Sequence, residues 1–555
     1  MSSRVLWAEP SPLPWLPHPT NAAPATAATP IATDLIISFF SSSILVLDEL
    51  FSCLEITELS QLSIIFLDKV WWTPIRLQAM MKSQGIRGPP YRFPHGNTKE
   101  ISKMRSQSMG KPMEMSHSIF PRIQPHVYSW TKTYGMNFLN WHGSKAQLFL
   151  TEPELIKEVL MNRKGFYPKM DMEGYAKKLL GEALITNEGE KWAKIRKLAN
   201  HTFHAESLKS MVPEMSSSVE MLLERWKDHV GEEIDVYKEF GLLTTEVISR
   251  TAFGSSYVEG GHIFEMVAKL TEITVRNTYR VRFPGISVLS KSDDEIEAEK
   301  LEKRIKNSIV ELARKREKVS NNGEFEDFGS DYLGQLVKIS HETDTKKRIT
   351  IEQMIDEIKT VYGAGHLTTT SLLSWCILLL AIHTDWQEKA REEVFEIFSS
   401  EKPNSDGIAR LKTMNMIINE CLRLYPPALM LTRKIKKGVK LGNLNLSGKI
   451  NIFISILALH HHPQIWGKDV HIFRPERFAG GVAKATNNNA AAFLPFGLGP
   501  RTCVGLNFTT NEAKVALSMI LQRYKFVLSS NYIHCPADIF ILTPKHGVQV
   551  ILQAI

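Results

Sequence analysis

Most of the chain beyond residue 100 carries apolar positions three to four residues apart, the spacing of helices with one buried face. Only short pieces such as 439–446 and 547–552 alternate residue by residue, as minor half-buried strands do. The longest helical stretch runs from 350 to about 383, and Thr350 followed by Gln353 marks its start with a capping-box pattern. At ~1.5 Å per residue such a helix would cross ~50 Å, the width of a domain. Another helix is expected from 506 to about 527. The pattern predicts a mainly α fold with minor β-sheets, in the α+β class, without internal repeats.

The first hundred residues read differently. Residues 1–34, rich in Ala, Pro, Thr and Ser, have the composition of a disordered leader. Residues 35–70 stand where a membrane anchor would. Their apolar runs, 35–47 and 59–67, are separated by Asp48, Glu49, Glu55 and Glu58. A spanning helix needs ~20 apolar residues, and a charge at its centre costs ~2.5–3.5 kcal/mol. A span here is therefore doubtful. Lys69, Arg76, Lys82, Arg87 and Arg92 follow, with Asp68 the lone acid, which assigns the rest of the chain to the cytosolic side of any membrane. Gly88-Pro89-Pro90 makes a stiff hinge. Residues 71–115 thus form a basic linker and proline hinge, and 116–555 one large domain.

Composition narrows the classes. The 555 residues are 43% hydrophobic, enough for a large core. Net charge is +8, from 67 basic against 59 acidic residues, with no dense Lys/Arg block, which argues against nucleic acid. The five cysteines, Cys53, Cys376, Cys421, Cys503 and Cys535, have neither disulfide nor zinc spacing. An odd, sparse set fits a reducing compartment.

Of these, only Cys503 has an informative neighbourhood: Phe496-Gly497-Leu498-Gly499-Pro500-Arg501-Thr502-Cys503-Val504-Gly505. The glycines tolerate positive φ and let backbone pass close to a flat ligand. A cysteine at a helix start meets free N–H groups that favour the thiolate, lowering its pKa and preparing it to bind a metal. In the long helix, Gly363 and Gly365 each cost ~1 kcal/mol relative to Ala, so a locally opened helix with a close neighbour is expected there. Ala364 and Thr368, four apart, share a face. Glu420 and Arg423 can pair on another helix. Trp192 and Arg196 lie within about 40° of each other on a third, suited to gripping a carboxylate. Lys191, Lys194 and Lys197 stripe its opposite side, either as a solvated face or toward an acidic partner.

These segments resemble the cytochrome P450 family across residues 71–555. Phe496, Gly499, Arg501, Cys503 and Gly505 fill every specified position of F-x-x-G-x-R-x-C-x-G. The resemblance implies that 116–555 is a haem–thiolate catalytic domain with haem b as cofactor and Cys503 as axial ligand. It assigns Trp192, Arg196 and Arg433 to the haem propionates, and Glu420, Arg423 and Arg477 to a buried supporting network. Ala364, Gly365 and Thr368 match the oxygen-binding segment A-G-x-[DE]-T-T, Thr368 being the threonine that steers protons during oxygen activation. Leu367 departs from this pattern, since an acid is expected there, and the adjacent His366 points ~100° away. The resemblance places the substrate pocket in the stretch before Trp192, the central long helix, the segment after Pro427 with Ala428, Leu429, Met430 and Leu431, and a C-terminal turn with Ile539, Phe540, Ile541 and Leu542.

The implied activity is hydroxylation of a lipophilic small molecule with dioxygen, using electrons from NADPH–cytochrome P450 reductase. The setting is the endoplasmic reticulum membrane, with a monomeric catalytic domain facing the cytosol. The motifs are most like plant members of the clan that oxidises gibberellins, brassinosteroids, cytokinins and triterpenoids. Three rivals stand beside this reading. Leu367 admits a haem–thiolate isomerase or dehydratase needing no external electrons, a decayed or sensing non-enzymatic haem-binding protein is the second, and an all-helical scaffold without cofactor, which requires the motif matches to be chance, is the third.

Overall fold

Helices dominate the computed structural model, as the three-to-four spacing requires. It describes residues 63–254, 257–280, 291–321 and 328–555, so the leader at 1–34 and most of the 35–70 anchor segment lie outside the described residues. Residues 68–555 form one unit. The helices that build the site are α1 (Gly189–Thr202), α2 (Val236–Phe253), α3 (Ile351–Ile382), α4 (Lys412–Leu424) and α5 (Leu506–Arg523).

α3 is the axis of the unit. Thr350 and Gln353 make the reciprocal capping box read from the sequence. Every side chain from Thr369 to Ala381 is buried, and α2, α4 and α5 all pack against this helix. Its length and composition would allow it to cross a membrane, yet most of its apolar stretch is buried inside the fold. The expected opening at Gly363 and Gly365 is absent, and the helix is continuous. The close neighbour at Gly365 is another helix: a Cβ there would sit 2.9 Å from Ile248 Cδ1 of α2.

The strands are minor and peripheral. β1 (Asn137–His142), β2 (Lys145–Leu150), β3 (Met430–Lys434) and β4 (Ile450–Ser455) form one sheet in the order β1-β2-β4-β3, with β2 and β4 parallel. The 439–446 segment is a hairpin of two short strands turning at Gly442, whose φ is +54°. The helix expected to continue to about 527 ends at Arg523. Tyr524–Leu528 alternates buried with exposed positions and pairs with Gln549–Ala554, so cross-strand hydrogen bonds replace the helical ones.

Candidate active site: an apolar cavity around Cys503

The 496–505 segment folds as a tight loop, with the Cys503 N–H donating to Phe496 O at 2.8 Å. Gly497 and Gly499 have φ of +74° and +76°, as their residue type allows. Gly499 also meets protein closely: a Cβ there would lie 2.4 Å from Leu160 O. α5 starts at Leu506, so Cys503 stands just ahead of the helix, with the Gly505 N–H toward its sulfur. Burial pushes the Cys503 thiol up, opposed by that N–H and by Arg196.

Cys503 opens onto a cavity of ≈ 340 Å³ with mostly apolar walls. Phe496, Arg501 and Gly505 line it from the same loop, and Ala364, Gly365 and Thr368 from α3. Thr368 Oγ1 donates to Ala364 O at 2.7 Å. Leu367 is half-buried and lies outside the lining. So does His366, whose Nδ1 is 2.6 Å from Tyr362 O and whose pKa burial lowers to about 4. It is a satisfied core histidine.

One end of the cavity is cationic. Trp192 and Arg196 both reach it from α1, and Arg433 reaches it from β3. The Arg196 guanidinium donates to Thr502 O at 2.6 Å. The Arg501 guanidinium stacks 4.2 Å over the Trp192 ring and pairs with Glu188 at 2.6 Å. Lys169 joins them, a residue that no local pattern singles out. Burial, then Arg433 and Arg501, lowers the Lys169 ammonium to about 7. Burial and Arg501 lower Arg433 to about 10. Among these side chains Glu188 is the one acid, so the corner carries unbalanced positive charge and suits a group bearing carboxylates.

Glu420 and Arg423 are both fully buried, joined by bonds of 2.8 and 2.7 Å. Arg477 reaches Glu420 at 3.4 Å and donates to Trp466 O at 2.9 Å. This network lies outside the cavity lining, behind the wall. Of the expected substrate contacts, Ala428 and Leu431 line the cavity, whereas Leu429 and Met430 do not. The C-terminal turn, 539–542, does not line it either. Its Leu542 is buried with its N–H bonded to Pro427 O at 2.9 Å, and Phe540 sits at the exposed turn with φ +69°.

Among the described residues no group of three His, Cys, Asp or Glu side chains could hold a metal ion. Cys503 can give one bond, so an iron bound there must bring its other ligands with it. A flat macrocycle with two carboxylates meets that demand, resting on the apolar walls and ending in the cationic corner. These features define a haem–thiolate enzyme. The chain belongs to the cytochrome P450 family, whose pattern residues 116–552 match, and it is a monooxygenase with haem b as cofactor. It is 60% identical to cytochrome P450 CYP749A22 of Panax ginseng over 88% of this chain and 93% of that protein. It is 39% identical to the 11-oxo-beta-amyrin 30-oxidase of Glycyrrhiza uralensis over 87% and 94%. With secologanin synthase 1 of Catharanthus roseus it shares 37% identity over 88% and 94%.

Proposed function

We propose that this monooxygenase hydroxylates a terpenoid-derived lipophile, with Cys503 as the thiolate that would hold the haem iron and with Ala364, Gly365 and Thr368 as the residues that would serve oxygen activation. The observation that carries the reading is the conjunction around one cavity of a lone cysteine, a helix face bearing Thr368 and a cationic corner. Two relatives named for oxidised terpenoid substrates or products support the substrate class.

Bound haem supplies reductive activation of dioxygen and insertion of one oxygen atom into a C–H bond. Trp192, Arg196, Arg433 and Arg501, joined by Lys169, would hold its propionates, and Phe496, Gly499 and Gly505 shape the loop that presents the Cys503 sulfur. Thr368 Oγ1 donates its own proton to Ala364 O, which leaves its lone pairs to receive a water at the cavity face. Apolar walls keep bulk water away and orient a hydrophobic substrate.

Electrons arrive from an NADPH-dependent reductase, for which the exposed Lys197 and the α1 lysine stripe offer a basic surface. Lys191 and Lys194 of that stripe are also engaged within the chain, with Glu182 and with Arg348 O. We assign the protein to the endoplasmic reticulum as a monomer with a cytosolic catalytic domain, and residues 71–115 belong to that domain rather than to a free linker, since Thr73–Ser83 and Thr98–Met109 are helices of the 68–555 unit.

The test is co-expression with a plant reductase, a reduced carbon monoxide difference spectrum, and feeding of terpenoid pools. Parent protein should give a thiolate-type spectrum and an NADPH-dependent hydroxylated product, and Cys503→Ser should give neither. Product formed without NADPH would favour the isomerase reading that Leu367 admits.

A further inference from the structure

The loop 181–188 joins the helix Gly174–Leu180 to α1, and its Leu184 and Ile185 line the cavity. Loops that line cavities are commonly mobile, but this one is fastened to α3 where it begins. Lys359 Nζ donates to Lys178 O at 2.8 Å, just before the loop, and Thr360 Oγ1 donates to Leu180 O at 3.3 Å. The Glu182 N–H donates to Asp356 Oδ2 at 2.8 Å. Gly181 has φ +57°, and a Cβ there would lie 2.0 Å from the Asp356 carboxyl carbon, so only glycine lets the loop sit this close. Glu357, between Asp356 and Lys359, accepts from Tyr332 OH at 3.3 Å. Lys359 is itself held by Asp356 at 2.8 Å and is almost fully buried.

The loop is also braced from within and from the far side. Thr186 Oγ1 donates to Gly181 O at 2.8 Å, and the Asn187 N–H donates to Ala183 O at 2.7 Å. On the far side Arg501, beside Cys503, reaches Leu184 O at 3.5 Å. One turn and a half of α3 thus supplies three side chains, Asp356, Lys359 and Thr360, to a single stretch of backbone, on the same helix that carries Thr368. None of the three is accounted for by the oxidation chemistry.

We propose that Asp356 and Lys359 are positioning residues that hold the 181–188 loop as a fixed wall of the substrate cavity. The enzyme therefore selects bulky, rigid lipophiles by shape, and ligands too small to reach the wall are insensitive to the clasp. This rests on the reading of the cavity as the haem and substrate site.

Two iron-binding probes test it: imidazole, which needs only the iron, and a biphenyl-substituted imidazole, which must also meet the cavity wall. Both are titrated by their haem spectral shift against parent, Asp356→Ala, Asp356→Asn and Lys359→Gln. We expect all to bind haem and to hold imidazole within about twofold of parent. Asp356→Ala should weaken the biphenyl probe by about fivefold or more, the scale of one lost hydrogen bond. Asp356→Asn keeps an acceptor for the Glu182 N–H and should recover most of that loss. Hydrogen exchange in 181–188 should quicken in step with the weakening. Unchanged biphenyl affinity despite faster exchange would overturn the selection claim, and unchanged exchange would overturn the clasp. If Asp356→Ala fails to fold, Lys359→Gln gives the same readings from the milder loss of the tie to Lys178 O. A parent protein that shifts with neither probe would instead overturn the haem-site reading.

Discussion

Replacing Arg423 by Met tests the buried network behind the cavity. Arg423 makes two bonds to Glu420, at 2.8 and 2.7 Å, and donates to His460 O at 3.1 Å and Val470 O at 2.7 Å. Met fills similar space but leaves those carbonyls without that donor. Glu420 would keep the Arg474 N–H at 3.0 Å and the longer contact to Arg477 at 3.4 Å, so its charge is weakened in support rather than abandoned. Breaking a buried ion pair costs ~3–5 kcal/mol. The retained contacts argue for the lower end, about 3 kcal/mol, which is a large part of the ~5–15 kcal/mol that holds a domain together. Urea unfolding followed together with haem absorbance measures it. The midpoint should fall clearly, and haem should be released at lower urea. Removing both charges, in the double variant Glu420→Gln with Arg423→Met, should cost less than the two single changes added together, since no buried charge remains stranded. A single variant within ~0.5 kcal/mol of parent, the scatter of ordinary surface changes, would refute the idea that this pair carries structural weight.

Further outcomes follow from other parts of the fold. Burial lowers His117, His126 and His460 to about 3, and His366 and His534 to about 4. These groups stay neutral in the folded chain and take up protons when it unfolds near an ordinary value of ~6.5. Stability should therefore fall as pH drops from about 6.5 toward 4, by up to ~1.4 kcal/mol per pH unit for each histidine. Glu357, raised to about 8 by burial, acts in the opposite sense: what it contributes is lost as pH rises toward 8. As one group against five it should flatten the acid limb without reversing it, and equal urea midpoints at pH 4.5 and 7 would contradict this. Gly365→Ala should lower the unfolding temperature by overpacking worth ~1–3 kcal/mol, because its Cβ would meet Ile248 Cδ1 at 2.9 Å. Adding Ile248→Ala should recover part of the loss. Leu367→Glu should raise product formed per NADPH consumed, and an unchanged ratio would remove the proton-relay concern that Leu367 raises.

What could be read from the sequence was what depends on local spacing. The capping box at Thr350, the helix face of Ala364 and Thr368, and the pairing of Glu420 with Arg423 need only neighbours along the chain, and the structure has them. Arg477, more than fifty positions beyond Glu420, came from the family resemblance, because spacing cannot bridge that distance. What spacing left open depends on partners remote in sequence. The close neighbour of Gly365 is Ile248, and Leu160 O lies against Gly499. Lys169 and Glu188 sit in no recognisable pattern and become visible only when the cationic corner closes around them. The 539–542 turn, apolar enough to line a cavity, instead packs beside Pro427.

Because α3 carries both the loop ties and Thr368 at the cavity, it works as a ruler. Asp356 and Thr368 stand twelve positions apart, or ~18 Å of unbroken helix. Deleting or inserting one residue between them would swing one end by ~100° around the axis relative to the other. Point changes can alter what the cavity accepts, but length changes in this interval would pull the wall and the reaction centre out of alignment together. New substrate preferences in such a scaffold must therefore arise by exchanging side chains along the ruler, never by lengthening it.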